Sequence, residues 1–170
     1  MKQSTGFNLV EMMTTLVIAI TLTSVALPSL TELYLAFRTE MAIRSIQSTL
    51  QLARNSAINY GARVSACPIV DGSCHNDWRQ GITIFIDLGE PNTLDGQDQV
   101  LLTTGSFHQD DFVRYNRAAI RFQRDGLASG TNGTLSYCPK DKASPLSKSL
   151  VINQAGRIRF SNKSNINCLD

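Results

Sequence analysis

The feature that most restricts this chain is an apolar run from Phe7 to Leu27 that opens abruptly behind a polar hexapeptide, Met1–Gly6. Twenty-one residues at about 1.5 Å each reach roughly 31 Å as a helix, one bilayer core. The run carries a single charge, Glu11. A secretory signal would have a shorter apolar core with a small-residue cleavage site behind it. Here the cleavable-looking junction, Gly6–Phe7, precedes the run, so the helix is expected to stay with the mature protein. A carboxylate inside hydrocarbon is costly and calls for a positive partner. The new α-amino group of Phe7 on a neighbouring subunit would supply one. Glu11 would then set one helix against the next in a helical assembly.

The segment Gly6-Phe7-Asn8-Leu9-Val10-Glu11-Met12-Met13 resembles the class III signal of type IV pilins and type II secretion pseudopilins. The resemblance implies that a prepilin peptidase cuts after Gly6 and methylates Phe7, and that Glu11 is the assembly glutamate. It also implies that the chain sits in the bacterial inner membrane as a single-pass protein before assembly. It would then enter a type IV pilus at the cell surface, its globular part periplasmic and later extracellular.

Beyond the run, Pro28 is expected to kink the helix rather than end it, because apolar periodicity resumes after it. Leu30, Tyr34, Phe37, Met41, Ile46, Leu50, Ala53 and Ala57 read as one helix stripe. Gly61 offers a left-handed cap after Tyr60. The pattern then changes to short strands separated by turn signals. These are Arg63–Cys67, Gly81–Asp87, Gln99–Thr103, Phe112–Tyr115, Ala119–Phe122, Gly133–Cys138, Ser149–Asn153 and Arg157–Phe160. Glu90–Asp98 reads as a loop. The expected organisation is a leader (1–6), an apolar membrane and assembly helix (7–28), its amphipathic continuation (29–60) and a β-rich domain (61–170). The fold class is α+β, with antiparallel sheets packed against the second half of the helix.

The body is similar to the FimT/GspH group of minor pilins and pseudopilins. The residues that carry the likeness are Cys67-Pro68 with Cys74, Trp78-Arg79-Gln80-Gly81 leading into Ile82–Asp87, Ile120-Arg121-Phe122 with Asp125-Gly126, and Gly156-Arg157-Ile158-Arg159. The implied fold is pilin-like and the implied partners are other major and minor pilins.

An exported domain permits disulfides. Four cysteines allow three pairings. Cys67 with Cys74 and Cys138 with Cys168 keeps each loop local to its half of the domain. Zinc would need closer Cys/His spacing than Cys74-His75 provides, so neither a metal nor a cofactor is expected. His75 and His108, the two histidines, lie in no nucleophile-elbow or metalloprotease motif, and no phosphate-cradling glycine loop occurs. Asp110-Asp111 reads as a solvated turn, since neighbours on a strand face opposite ways. The chain is expected to be a non-enzyme.

Net charge is only +2, which excludes a histone-like polycation, but its placement is uneven. Residues 70–111 hold eight acids and one base; residues 112–170 hold ten bases and three acids. A basic carboxyl end invites an anionic partner. Within it, Arg157 and Arg159 on a strand would share one face about 7 Å apart, near the spacing of successive phosphates. Ile158 would face the core, and Gly156 would belong to a tight turn. Lys163, and Lys148 across the hairpin, would extend the patch, with Asn162, Ser164 and Asn165 as neutral donors. Aromatic platforms are scarce there, so backbone contact with double-stranded DNA is expected over base stacking. FimT-like minor pilins of naturally competent bacteria bind DNA through a C-terminal GRxR motif. The resemblance implies that role for Gly156, Arg157 and Arg159, in pilus-mediated DNA uptake. The competing expectation is a structural minor pilin or a GspH-like pseudopilin of a type II secretion system, its basic end an interface with other subunits.

Overall fold

The computed structural model describes residues 8–128 and 130–169, with the Val25 side chain left undescribed. Helix α1 runs Leu9–Tyr60 and continues through Pro28. The Asn8 carbonyl receives the Glu11 and Met12 N–H groups at 3.0 and 3.1 Å, starting the helix. Several of its hydroxyls are satisfied along the backbone: Thr14 donates to the Glu11 carbonyl (3.0 Å), Thr15 to Met12 (2.9 Å), and Ser24 to Thr21 (2.8 Å). Polar side chains closed in this way can sit in hydrocarbon. The helix is long and apolar enough to cross a membrane. At its end Ala62 N–H donates to the Ala57 carbonyl and Gly61 N–H to that of Ile58, with Gly61 at φ +59°. That is the Schellman arrangement, and it needs a left-handed residue at Gly61.

The chain forms two compact units, residues up to 37 and residues from 38 onward. In the first, the described apolar side chains of residues 9–34 are exposed. In the second, helix residues Ile43, Ile46, Leu50, Ala53 and Ala57 are buried with side chains from two four-stranded sheets in one core. Leu30, Tyr34, Phe37 and Met41, expected on the same stripe, are exposed instead. The buried line starts at Thr39 and steps by four and three through Ile43, Ile46 and Leu50.

The strands are β1 Val64–Cys67, β2 Ile69–Val70, β3 Ser73–Cys74, β4 Thr83–Ile86, β5 Gln99–Thr103, β6 Phe112–Arg114, β7 Ile120–Phe122, β8 Gly133–Cys138, β9 Lys148–Ile152 and β10 Ile158–Phe160. One antiparallel sheet has the order β5-β4-β1-β7; the other has β10-β9-β8-β6. The small β2–β3 hairpin and a 3₁₀ turn at Trp78–Gln80 were not anticipated. β1 and β4 are buried throughout. Their even-numbered residues face the common core, while Cys67 and Phe85 pack beneath Ile69, Cys74 and Leu94. The loop that supplies Leu94 is tied to the hairpin: Leu94 N–H donates to the Gly72 carbonyl (2.7 Å) and Cys74 N–H to that of Asn92 (2.8 Å).

Asp111 is not on a solvated turn. It is fully buried and accepts from the Arg38 guanidinium, the Tyr137 hydroxyl and Lys140 N–H (3.1 Å). Burial first, and then the bond to Asp111, push the Tyr137 phenol well above its ordinary value. Asp110, its neighbour, is exposed.

Candidate nucleic-acid interface

β10 is the edge strand of the second sheet. It pairs antiparallel with β9, Ile158 opposite Ile152, Arg159 opposite Val151 and Phe160 opposite Leu150. Ile158 and Phe160 pack against the core. Arg157 and Arg159 are exposed. Alternation along the strand therefore turns the two guanidinium side chains away from the core together.

The turn before Arg157 is closed by three bonds. Gly156 N–H donates to the Asn153 carbonyl (3.0 Å), Asn153 N–H to the Arg157 carbonyl (3.2 Å), and Arg157 N–H to Asn153 Oδ1 (2.8 Å). Gly156 has φ +72°, and a Cβ there would stand 1.9 Å from the Gly126 carbonyl oxygen. It is buried. Its place in the motif is thus a backbone one: it lets the turn close against residue 126, and the two arginines carry the exposed charge.

Lys148 lies elsewhere than expected. In β9 it shares a face with Leu150 and Ile152, both buried, and it is opposite Tyr137 of β8. Its ammonium is bonded to Glu40 of α1, which also holds Arg44. Arg159 is on the other face of the sheet, in line with Val151 and Thr134. Lys148 is therefore a structural ion pair rather than a member of the arginine face. Lys163 is exposed and borders a cleft of about 320 Å³ at the sheet edge, shared with Lys148, Glu40, Arg44, Phe160 and Ile166. Asn162, Ser164 and Asn165 are exposed beside it.

Part of the acidic middle segment is taken up within the domain, although Asp71, Glu90 and Asp110 are exposed. Asp87 is buried and takes Arg63 (2.6 Å), Ser65 and Asn92 N–H (3.3 Å). Asp98 accepts from Leu88 and Asp95 N–H, and Asp95 from Glu90 and Gln97 N–H. These carboxylates hold their own loop. Arg157 and Arg159 have no carboxylate within ion-pair reach among the described residues.

Sequence reasoning did not single out two arginines near the motif. Arg54, on α1 between Ala53 and Ser56, donates through Nε to the Gly126 carbonyl and through Nη2 to that of Ala155, both at 3.2 Å. Its position beside the buried alanine stripe was the available signal. Arg124 is exposed on the 123–127 turn; only its membership of the basic segment marked it.

All four cysteines are bonded, Cys67 to Cys74 and Cys138 to Cys168. The second bond ties the carboxyl end to β8, so Cys74 beside His75 offers no thiolate to a metal. Glu11 lies in the first turn of α1, exposed among apolar neighbours. Gly6 and Phe7 lie outside the described residues.

The model of the family described as "Type II transport protein GspH" matches residues 42–156, more than half of the chain. The chain belongs to the GspH family. The Pseudomonas aeruginosa type IV minor pilin FimU, solved in two crystal forms, has the same fold. One form gives 21% identity and a TM-score of 0.62 over 77% of this chain and 95% of that one; the other gives 22% and 0.60 over 76% and 99%. The minor pseudopilin EpsH of the Vibrio cholerae Type 2 Secretion System matches at 15% identity and a TM-score of 0.51, over 73% of this chain and 96% of that one. No curated protein sequence matches. The fold of this GspH-family protein is accordingly type IV pilin-like.

Proposed function

We propose that this GspH-family subunit is a minor type IV pilin that holds extracellular double-stranded DNA by its phosphate backbone, for pilus-mediated uptake. The observation that carries the reading is the pair Arg157 and Arg159. Both are exposed, both are turned from the core against which the half-buried Ile158 and Phe160 pack, and neither has a carboxylate partner among the described residues. Cations about 7 Å apart on a strand can meet successive phosphates without reading sequence. Prepilin peptidase would release the chain between Gly6 and Phe7. Residues 7–27 would hold it in the inner membrane, and Glu11 would pair with the amino group of a neighbouring pilin during assembly. No cofactor or catalytic step enters this reading. Each subunit would bind weakly and in a salt-sensitive way, and several on one fibre would add avidity.

The test is duplex binding by the full-length chain in non-ionic detergent, with two unrelated DNA sequences, across a salt series. The expected result is equal affinity for both sequences and a log–log salt slope that falls by about two in R157Q/R159Q. Absence of binding at low salt, or an unchanged double mutant, refutes the reading. The alternative is a purely structural subunit, or a pseudopilin of a type II secretion system. It draws on the family description and on the EpsH-like fold. A gene deletion that stops piliation or enzyme secretion would support it. One that stops only DNA uptake would support the first reading.

A further inference from the structure

The turn that leads into Arg157 has a twin. In residues 153–157, Gly156 N–H donates to the Asn153 carbonyl, and Asn153 N–H to that of Arg157 (3.0 and 3.2 Å). In residues 123–127, Gly126 N–H donates to the Gln123 carbonyl, and Gln123 N–H to that of Leu127 (2.7 and 2.8 Å). The fourth residue of each is a left-handed glycine, Gly156 at φ +72° and Gly126 at φ +78°. Both turns close on a left-handed glycine in the manner of a glycine bulge; residues 153–157 join the paired strands β9 and β10.

The twins are joined. Ala128 N–H donates to the Gln154 carbonyl (2.9 Å). Arg54 bonds one carbonyl from each turn, Gly126 and Ala155, and Gly156 fits only because it lacks a Cβ that would meet Gly126. The two turns therefore hold a fixed relation. Each presents an exposed arginine, Arg124 from one and Arg157 from the other. Arg124 has no ion-pair partner among the described residues, and the half-buried guanidinium of Arg54 is bonded to carbonyls and to no carboxylate. Within residues 123–127 and 153–157 the one acid is Asp125, whose Oδ1 accepts Leu127 N–H at 3.1 Å.

From this geometry we infer that the paired turns form one phosphate-binding surface, in which Arg124 contacts the DNA backbone alongside Arg157 and Arg159, with Arg54 positioning both turns. The inference rests on the DNA-binding reading. It moves the interface from the sheet edge near Lys148 to the end of the domain where β7 and β9 turn. The line of cations then runs Arg159, Arg157, Arg124. Asp125 works against it: a carboxylate beside the track repels phosphate and sets a ceiling on affinity.

The experiment measures R124Q and D125N by the same duplex titration on the full-length chain in detergent. D125N keeps an acceptor for Leu127 N–H while removing the charge. R124Q is expected to lower affinity about 5- to 10-fold at 0.1 M salt and to reduce the salt slope by about one, equally for both sequences. D125N is expected to tighten binding. If the wild type binds and R157Q/R159Q lowers its salt slope by about two, while R124Q keeps wild-type affinity and slope, the inference is overturned and the DNA reading stands. If the wild type fails to bind at low salt, both fall.

Discussion

Replacing Gly156 by Ala separates a backbone role from a contact role for the first residue of the GRxR motif. The new Cβ would stand 1.9 Å from the Gly126 carbonyl oxygen and 2.9 Å from Arg54 Nε, where ordinary contact is 3.4–4 Å. The two turns must move apart by roughly 1.5 Å to accept it, the gap between 1.9 and 3.4 Å. That displacement breaks the Ala128–Gln154 bond and the Arg54 bonds to Gly126 and Ala155. Each such bond contributes about 1 kcal/mol net. A non-glycine residue at φ +72° adds about 1–2 kcal/mol. The expected loss is therefore about 4–5 kcal/mol, or about 10–20 °C in Tm for a domain of this size. Trp78 is the single tryptophan of the chain and is fully buried. Its fluorescence during heating of the full-length protein in detergent, disulfides intact, follows the globular unit rather than the apolar helix. R157Q/R159Q, both exposed, should leave that transition in place. A Tm for G156A within about 2 °C of wild type would refute the argument, because the turns would then have closed without needing a glycine.

Two further outcomes follow from the buried and half-buried charges. Asp111→Ala leaves the Arg38 guanidinium, 17% exposed, and the Tyr137 hydroxyl without their shared carboxylate, a loss of about 3–5 kcal/mol; a change under about 1 kcal/mol in urea unfolding would show that Asp111 is not a hub. The Glu40 carboxyl is held below its ordinary value of 4.5, first by the Lys148 hydrogen bond and then, against the opposing effect of burial, by Arg44. A depressed value in the folded state means that this stabilisation is complete above about pH 4.5 and is lost as pH falls through the folded value. Glu40 is 29% exposed, so the contribution is below about 1 kcal/mol. The urea midpoint of E40Q should lie below wild type at pH 6 and meet it near pH 3; a constant gap across that range would exclude the pair as its cause.

Much of the fold could be read from the chain because its signals are local. Each strand is bracketed by turn residues, and Gly61 marks the helix end with its own conformation. What could not be read depends on distant partners. Asp111 resembles a solvated acid until Arg38, 73 residues away, is placed against it. The helix stripe failed for a different reason. Leu30, Tyr34, Phe37 and Met41 are apolar, yet they lie off the buried line through Ile43 and Ile46. A helix with hydrophobic residues on several faces does not announce which seam meets the domain. β1 and β4 show no alternation because the hairpin and the 88–98 loop cover their second face, and a strand buried on both faces reads only as a continuous apolar run.

For the interface, counting bases was the weak step and strand parity corrects it. Residues of one strand alternate between two faces, and antiparallel register carries that alternation to its neighbours. Through Phe160–Leu150 and Lys148–Tyr137 the even-numbered positions of β9 and β10 fall on the core side; a base there must find a carboxylate, and Lys148 finds Glu40. The odd positions fall on the other face, where Ser149 is buried, Val151 half-buried and Arg159 exposed with no ion-pair partner among the described residues. The same parity explains why Lys148, still 45% exposed, is paired with Glu40, while Arg124 stands exposed on a turn that no strand face constrains. The proposed phosphate track at this end of the domain thus rests on backbone geometry first and on composition second.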